Sequence, residues 1–271
     1  MTNTTRADRA SQVGASLALG LATLFCQADA TARSPSPMTQ PPAATPAPTP
    51  ESLSPRQRAI VPIAAFGAAG DMPRLADALD QGLDAGLTVS DTKEILVQLY
   101  AYAGFPRSLN ALGELMKVLE ARKRRGLQDA QGQAPGRAIP RGEALLAAGT
   151  ANQTRLAGAP VKGAVFEFAP AIDEYLKTHL FGDIFERDNL DWQSREIATV
   201  SMLSAMQGAD SQVQSHMGIS MNVGITAGQL NQLVKVLADR VDADAATRAQ
   251  RALSRQIAVP AKPEKVRYGP R

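Results

Sequence analysis

The 271-residue chain is poor in the side chains that most often carry redox and metal chemistry. It has one cysteine, Cys26, two histidines, His179 and His216, and a single tryptophan. That count excludes an intramolecular disulfide, an iron–sulfur cluster and a cysteine-rich zinc site. Aromatic residues make up only 4%, too few for the base-stacking platforms of single-strand nucleic-acid binders. A net charge of +3 is too small for nucleic acid to be the main partner. No glycine loop that could cradle phosphate and no dinucleotide fingerprint occurs. One histidine and one nearby carboxylate are too few ligands for a transition-metal site, so neither a metal nor a cofactor is implied. Segments that alternate apolar and polar residues are also absent. What remains is an apolar content of 44%, mostly Ala, Leu, Val and Ile, which predicts packed helices and an all-α fold.

The ends read differently from the body. Residues 1–32 have the pattern of a signal peptide, with Arg6 and Arg9 ahead of an apolar run from Val13 to Cys26. The run is shorter than the roughly 20 residues a membrane span needs. Small residues at Ala28 and Ala30, or Ala30 and Ala32, predict cleavage near Ala30 or Ala32. The mature chain would then be periplasmic or secreted, free of cysteine, and not stably inserted in a membrane. An uncleaved anchor, or a wrongly chosen start, is the alternative. Residues 33–55 are rich in Pro, Ala, Ser and Thr and predict a disordered linker. Residues 126–164 form a polar, Gly-bearing linker, with a short helix expected over 143–150. Residues 259–271 predict a basic disordered tail. The run Arg122-Lys123-Arg124-Arg125 reads as a solvated helix end, with an anion-attracting patch as the alternative.

The body contains an internal repeat. Leu79–Thr88 (LDQGLDAGLT) aligns without gaps on Met217–Thr226 (MGISMNVGIT). Gly86 and Gly224, like Gly70 and Gly208, then stand 138 positions apart. Each copy, 56–125 and 165–258, opens with an apolar helix, passes a glycine, continues through a second helix to Gly86 or Gly224, and turns into a third. Those glycines suit the left-handed position after a helix, and Thr88 and Thr226 suit the next N-cap, with Asp91 and Gln229 closing capping boxes. The third helix of the first copy is expected over Lys93–Tyr102. Gly104-Phe105-Pro106 should break it, and a helix from Ser108 to Arg122 should follow with Leu109, Leu112, Leu115, Met116 and Leu119 on its apolar face.

Three stretches carry a family resemblance. The first is Gly86-Leu87-Thr88 followed by Lys93 through Arg107. The second is Phe181 through Arg187, then Leu190 and Arg195-Glu196. The third is Gly208 through His216 and on to Gly224-Ile225-Thr226. In order and spacing the sequence resembles the carboxymuconolactone decarboxylase-like family, which includes the alkylhydroperoxidase-D-type proteins. The resemblance implies an all-α domain that associates into trimers or hexamers, so a two-copy chain could form a homotrimer mimicking a hexamer.

The peroxidase branch of that family carries a Cys-x-x-Cys pair beside its histidine; here those positions hold Ala209 and Gln212. No thiolate nucleophile is available for alkylhydroperoxidase-type peroxide reduction. The decarboxylase-type pattern keeps the histidine, and His216 matches it. A histidine titrating near neutrality can deliver a proton to carbon. Helical spacing sets Gln212 one turn before His216, with Ser215 adjacent. Glu196 is expected on the preceding antiparallel helix, within reach of that face, as a carboxylate that orients the imidazole or raises its pKa. Both also have ordinary structural explanations, a core histidine and a surface or ion-paired carboxylate. The first copy has Ala78 in place of His216, so a composite site is expected, walled by the first copy or a neighbouring subunit. Arg107 is the candidate fork for a substrate carboxylate, and Tyr100 a candidate binding residue. Met202, Met206, Met217 and Met221 read as core fillers.

The expected activity is therefore that of a cofactor-free lyase or isomerase on a small carboxylated lactone or related enolisable acid. The rivals are a peroxidase, opposed by the missing thiols, and a non-catalytic oligomeric ligand-binding protein.

Overall fold

A computed structural model describes residues 51–258. The expected signal segment, the linker up to residue 50 and the tail from 259 lie outside the described residues. The fold is all-α, with no strand among the described residues. No helix among them is long and apolar enough to cross a membrane.

The folded body starts earlier than the Pro-rich composition suggested. Leu53 is buried in the core, its N–H donates to the Gln232 side chain, and its carbonyl accepts from Arg58. Residues 51–55 are thus part of the body rather than linker. Ser54 and Gln57 form a capping box, with Pro55 in the first turn of α1 (Pro55–Ala69). There its missing N–H leaves no hydrogen bond unmade. Gly70 ends α1 in the left-handed region (φ 76°). Asp71 caps α2 (Met72–Asp84), and the Gly86 turn leads to the Thr88–Asp91 capping box of α3 (Val89–Gln98). In the second half, Asp191 caps α8 (Trp192–Ala205), α9 spans Asp210–Asn222, and the Gly224 turn leads to the Thr226–Gln229 box of α10 (Ala227–Arg240). Gly86 and Gly224 share a φ of 91°. α11 (Ala243–Ala258) buries Ala245, Ala249, Ala252 and Leu253 along one face and packs on α9 and α10.

α1 and α8 lie side by side at the centre and are buried over most of their length. α2, α3, α4 (Tyr100–Arg124) and α10 pack around α1, and α9 and α11 around α8. α4 is broken at Gly104 (φ 81°, ψ 163°), as the Gly-Phe-Pro sequence predicts. Its inner face differs from the expected one. Ser108, Ala111, Leu115, Val118 and Arg122 point inward, whereas Leu109 is 63% and Met116 72% exposed. The buried stripe is rotated by about one residue from the leucine stripe, because Ala111 and Ser108 allow the close approach that bulkier side chains would block.

Arg122 corrects another expectation. It is buried, not solvated, and ties the end of α4 to Asp80, Asp84 and Asp129 at 2.8–2.9 Å. The hydrogen bond from Arg122, opposed by partial burial and aided by Arg125, holds the Asp80 carboxyl below the usual range.

The segment expected to be linker contains α5 (Glu143–Ala157), twice the length expected there. Short helices α6 (Ala164–Phe168) and α7 (Pro170–Tyr175) follow, and α7 runs into a wide-turned π-helical stretch, Leu176–Ile184. α5 packs on that stretch at Gly149, where an added Cβ would stand 1.8 Å from the Lys177 carbonyl oxygen. The obstacle is backbone, so the two elements would have to separate. Gly149→Ala is expected to lower unfolding free energy by about 1–3 kcal/mol, measurable by urea titration.

Candidate functional site

Glu196 sits in the first half of α8, started by the Asp191 side chain, which accepts from the Ser194 N–H at 2.8 Å. His216 sits on α9, which packs antiparallel beside α8 after the Gly208 turn. The two meet: His216 Nδ1 is 2.8 Å from Glu196 Oε2. Glu196 is fully buried, and the His216 side chain is 10% exposed. A carboxylate acceptor on Nδ1 fixes a proton there and turns Nε2 to the outside as the nitrogen able to exchange protons. Nε2 makes no hydrogen bond among the described residues, and neither does Glu196 Oε1.

The third member of the site comes from the first half of the chain. Tyr102, just before the Gly104 break, sets its ring edge-on to the imidazole, centroids 5.7 Å apart and planes at 79°. Its hydroxyl lies 3.2 Å from Thr199 Oγ1 on α8. Burial, reinforced by the charge of Glu196, pushes the phenol well above its ordinary pKa, so it stays a neutral hydroxyl. Sequence reasoning named Tyr100 instead. Tyr100 stacks on Phe105 at 4.7 Å and is not in contact with the His216 ring. The spacing of the two tyrosines alone carries no signal of which one turns inward.

Behind this pair runs a buried polar seam. Gln98 Nε2 donates to Thr199 Oγ1 (2.8 Å) and to the Arg195 carbonyl (3.0 Å), and Gln98 Oε1 accepts from Arg195 Nη1 (3.2 Å). Arg195 Nη2 donates to Glu94 Oε1 at 2.9 Å. Arg187 grips Glu94 with Nε and Nη2 at 2.7 and 2.9 Å, and Asn189 adds a bond at 3.0 Å. Burial pushes the Glu94 carboxyl up, but Arg187, the charge of Arg195 and Asn189 together hold it below the usual carboxylate range.

Three expected binding residues stand elsewhere. Arg107 is exposed and donates from Nη1 to the Ala68 carbonyl at 2.6 Å. It therefore caps the end of α1, where the free carbonyls favour a cation. Gln212 is exposed and accepts from Ser211 at 2.9 Å, and Ser215 is exposed and donates to the Ser211 carbonyl. Neither touches Glu196. Ala209 precedes α9 and Gln212 lies in its first turn, so a methyl group and an amide occupy the positions where a dithiol would stand. Of the four methionines, Met202 and Met217 are fully buried, while Met221 is 37% exposed. Among the described residues no three His, Cys, Asp or Glu side chains gather into a metal-binding group.

Residues 170–255 match the model of the Carboxymuconolactone decarboxylase family. The match covers about a third of the chain. It runs from α7 through most of α11 and encloses both Glu196 and His216. Tyr102, Gln98 and Glu94 lie outside the carboxymuconolactone decarboxylase match. No curated protein matches the chain.

Proposed function

We propose that the chain is a cofactor-free lyase or isomerase of the carboxymuconolactone decarboxylase type, acting on a small carboxylated lactone or a related enolisable acid. The observation that supports this most directly is the 2.8 Å contact between His216 Nδ1 and a fully buried Glu196 inside the family-matched region. In the proposed step the bond from the ring carbon to the carboxylate breaks and carbon dioxide leaves. The electron pair passes into the conjugated lactone carbonyl, and His216 Nε2–H delivers a proton to carbon. Solvent then reprotonates the imidazole. Glu196 acts through His216, holding its tautomer and stabilising the imidazolium, and is a positioning residue. The neutral Tyr102 hydroxyl, anchored through Thr199, shapes the wall beside the imidazole.

Two cavities of about 530 and 510 Å³ occur in the described body, and neither is lined by His216 or Glu196. A substrate space over Nε2 is proposed to close against a second copy of the chain. This fits the homotrimer that the resemblance implies, with the two halves as tandem family repeats. A thiol peroxidase is disfavoured by Ala209 and Gln212.

The test is to follow γ-carboxymuconolactone loss and carbon dioxide release with purified protein. Turnover that disappears on substitution of His216 supports the assignment. Well-folded protein without turnover, but stabilised by the lactone, points instead to the non-catalytic ligand-binding reading.

A further inference from the structure

The 510 Å³ cavity lies between α3, α4 and residues 131–135, on the far side of the polar seam from His216. Its volume is in the range of small-molecule sites. One wall is apolar, made by Val97, Leu112, Met116 and Leu119, and the other end carries Lys93 and Arg187. Residues 130–136 form a strap pinned across α3. Val89 and Ser90 N–H donate to the Ala130 and Gln131 carbonyls at 2.9 Å, and Gly136 N–H donates to Asp188 at 2.8 Å. Gly132 passes so close that a Cβ would stand 2.2 Å from Thr88 Oγ1. A roof held this tightly leaves room for a thin chain or ring rather than for a helix about 10 Å across.

The charge at the polar end is unbalanced. Glu94 is the only acid lining the cavity among the described residues, and its two oxygens already accept four hydrogen bonds, from Arg187 twice, Arg195 and Asn189. Arg195 is also offset by the charge of Asp191, so among the lining residues Arg187 is the cation that faces Glu94. Lys93 adds another, being exposed and without an ion-pair partner among the described residues. Arg187 Nη1 also makes no hydrogen bond among them. The exposed stripe of α4 continues the apolar wall outward over Leu109 and Phe105.

We infer that this cleft is a second binding site, separate from the His216–Glu196 pair, and that it takes an amphipathic anion: a monocarboxylate with an unbranched apolar chain. The carboxylate meets Lys93 and the free edge of Arg187. The chain lies along Val97, Leu112 and Met116, and its end extends towards Leu109.

Calorimetric titration of the full chain with decanoate tests this. Saturable one-to-one binding is expected, weakened by added salt, with 1-decanol at least about tenfold weaker because it lacks the charge. Lys93→Glu, at an exposed position, should weaken decanoate about tenfold or more. Val97→Trp should block it by filling the cleft, with unchanged helicity confirming the fold. His216→Gln should leave the dissociation constant unmoved. Absence of saturable binding overturns the inference. So does binding that ignores both Lys93→Glu and Val97→Trp, or binding that His216→Gln abolishes.

Discussion

His216→Gln is expected to lower turnover of the lactone acid by about 10²–10⁴-fold while keeping the helical fold. The glutamine amide can still donate to Glu196 Oε2, so the buried carboxylate is not stranded; only the proton-exchanging nitrogen is lost. His216→Ala should show the same loss in rate and a loss of stability as well. It removes the one hydrogen bond that Glu196 makes, at a residue with no exposure, and leaves a buried charge unpaired. Added imidazole should restore part of the rate to the alanine variant and none to the glutamine variant, whose side chain fills the space. Glu196→Gln should act more weakly and shift the pH–rate profile, as expected of a group that works through the imidazole. A glutamine variant with wild-type turnover would remove His216 from the chemistry.

Much of the site could be read from the sequence because it is local. Glu196 and His216 lie in two consecutive helices joined by the Gly208 turn, and the pattern that brings them together is contained in about twenty residues. The caps at Thr88 and Thr226 and the turns at Gly86 and Gly224 were legible for the same reason: each is decided by side chains three or four positions away. The misplaced residues depend on distant chain. The contact of Arg107 with the end of α1, through the Ala68 carbonyl, comes from chain 39 positions away. Arg122 reads as a solvated end until Asp80 and Asp84 arrive from α2. Tyr102 displaces Tyr100 because the inner side of α4 is set by its packing on α1, α2 and α8, not by its own apolar pattern. Leu109 and Met116, the strongest apolar signals on that helix, face outward.

Glu94→Gln is expected to be the most destabilising single substitution in the seam, by about 3–5 kcal/mol. Arg195 is fully buried, and burial, only partly offset by Glu94, already pulls its pKa below the usual arginine range. Removing the Glu94 charge takes away the one carboxylate within 4 Å of that guanidinium among the described residues, leaving only the more distant Asp191, and also frees one grip of Arg187. The same pair sets an acid limb of stability. The folded Glu94 carboxyl titrates below its unfolded value of 4.5. It therefore contributes stability that is present above that value and is lost as pH falls through the lower folded value. Wild-type unfolding free energy should drop on acidification below about pH 4.5, and Glu94→Gln should lose that part of the slope. Adding Arg195→Met should recover part of the loss, because a buried apolar side chain replaces a charge left alone. Urea titrations of wild type and the two variants between pH 3 and 7 measure both effects. A single variant as stable as wild type at pH 7 would show that the seam is solvated in solution and that the ion pair does not hold the two halves of the chain together.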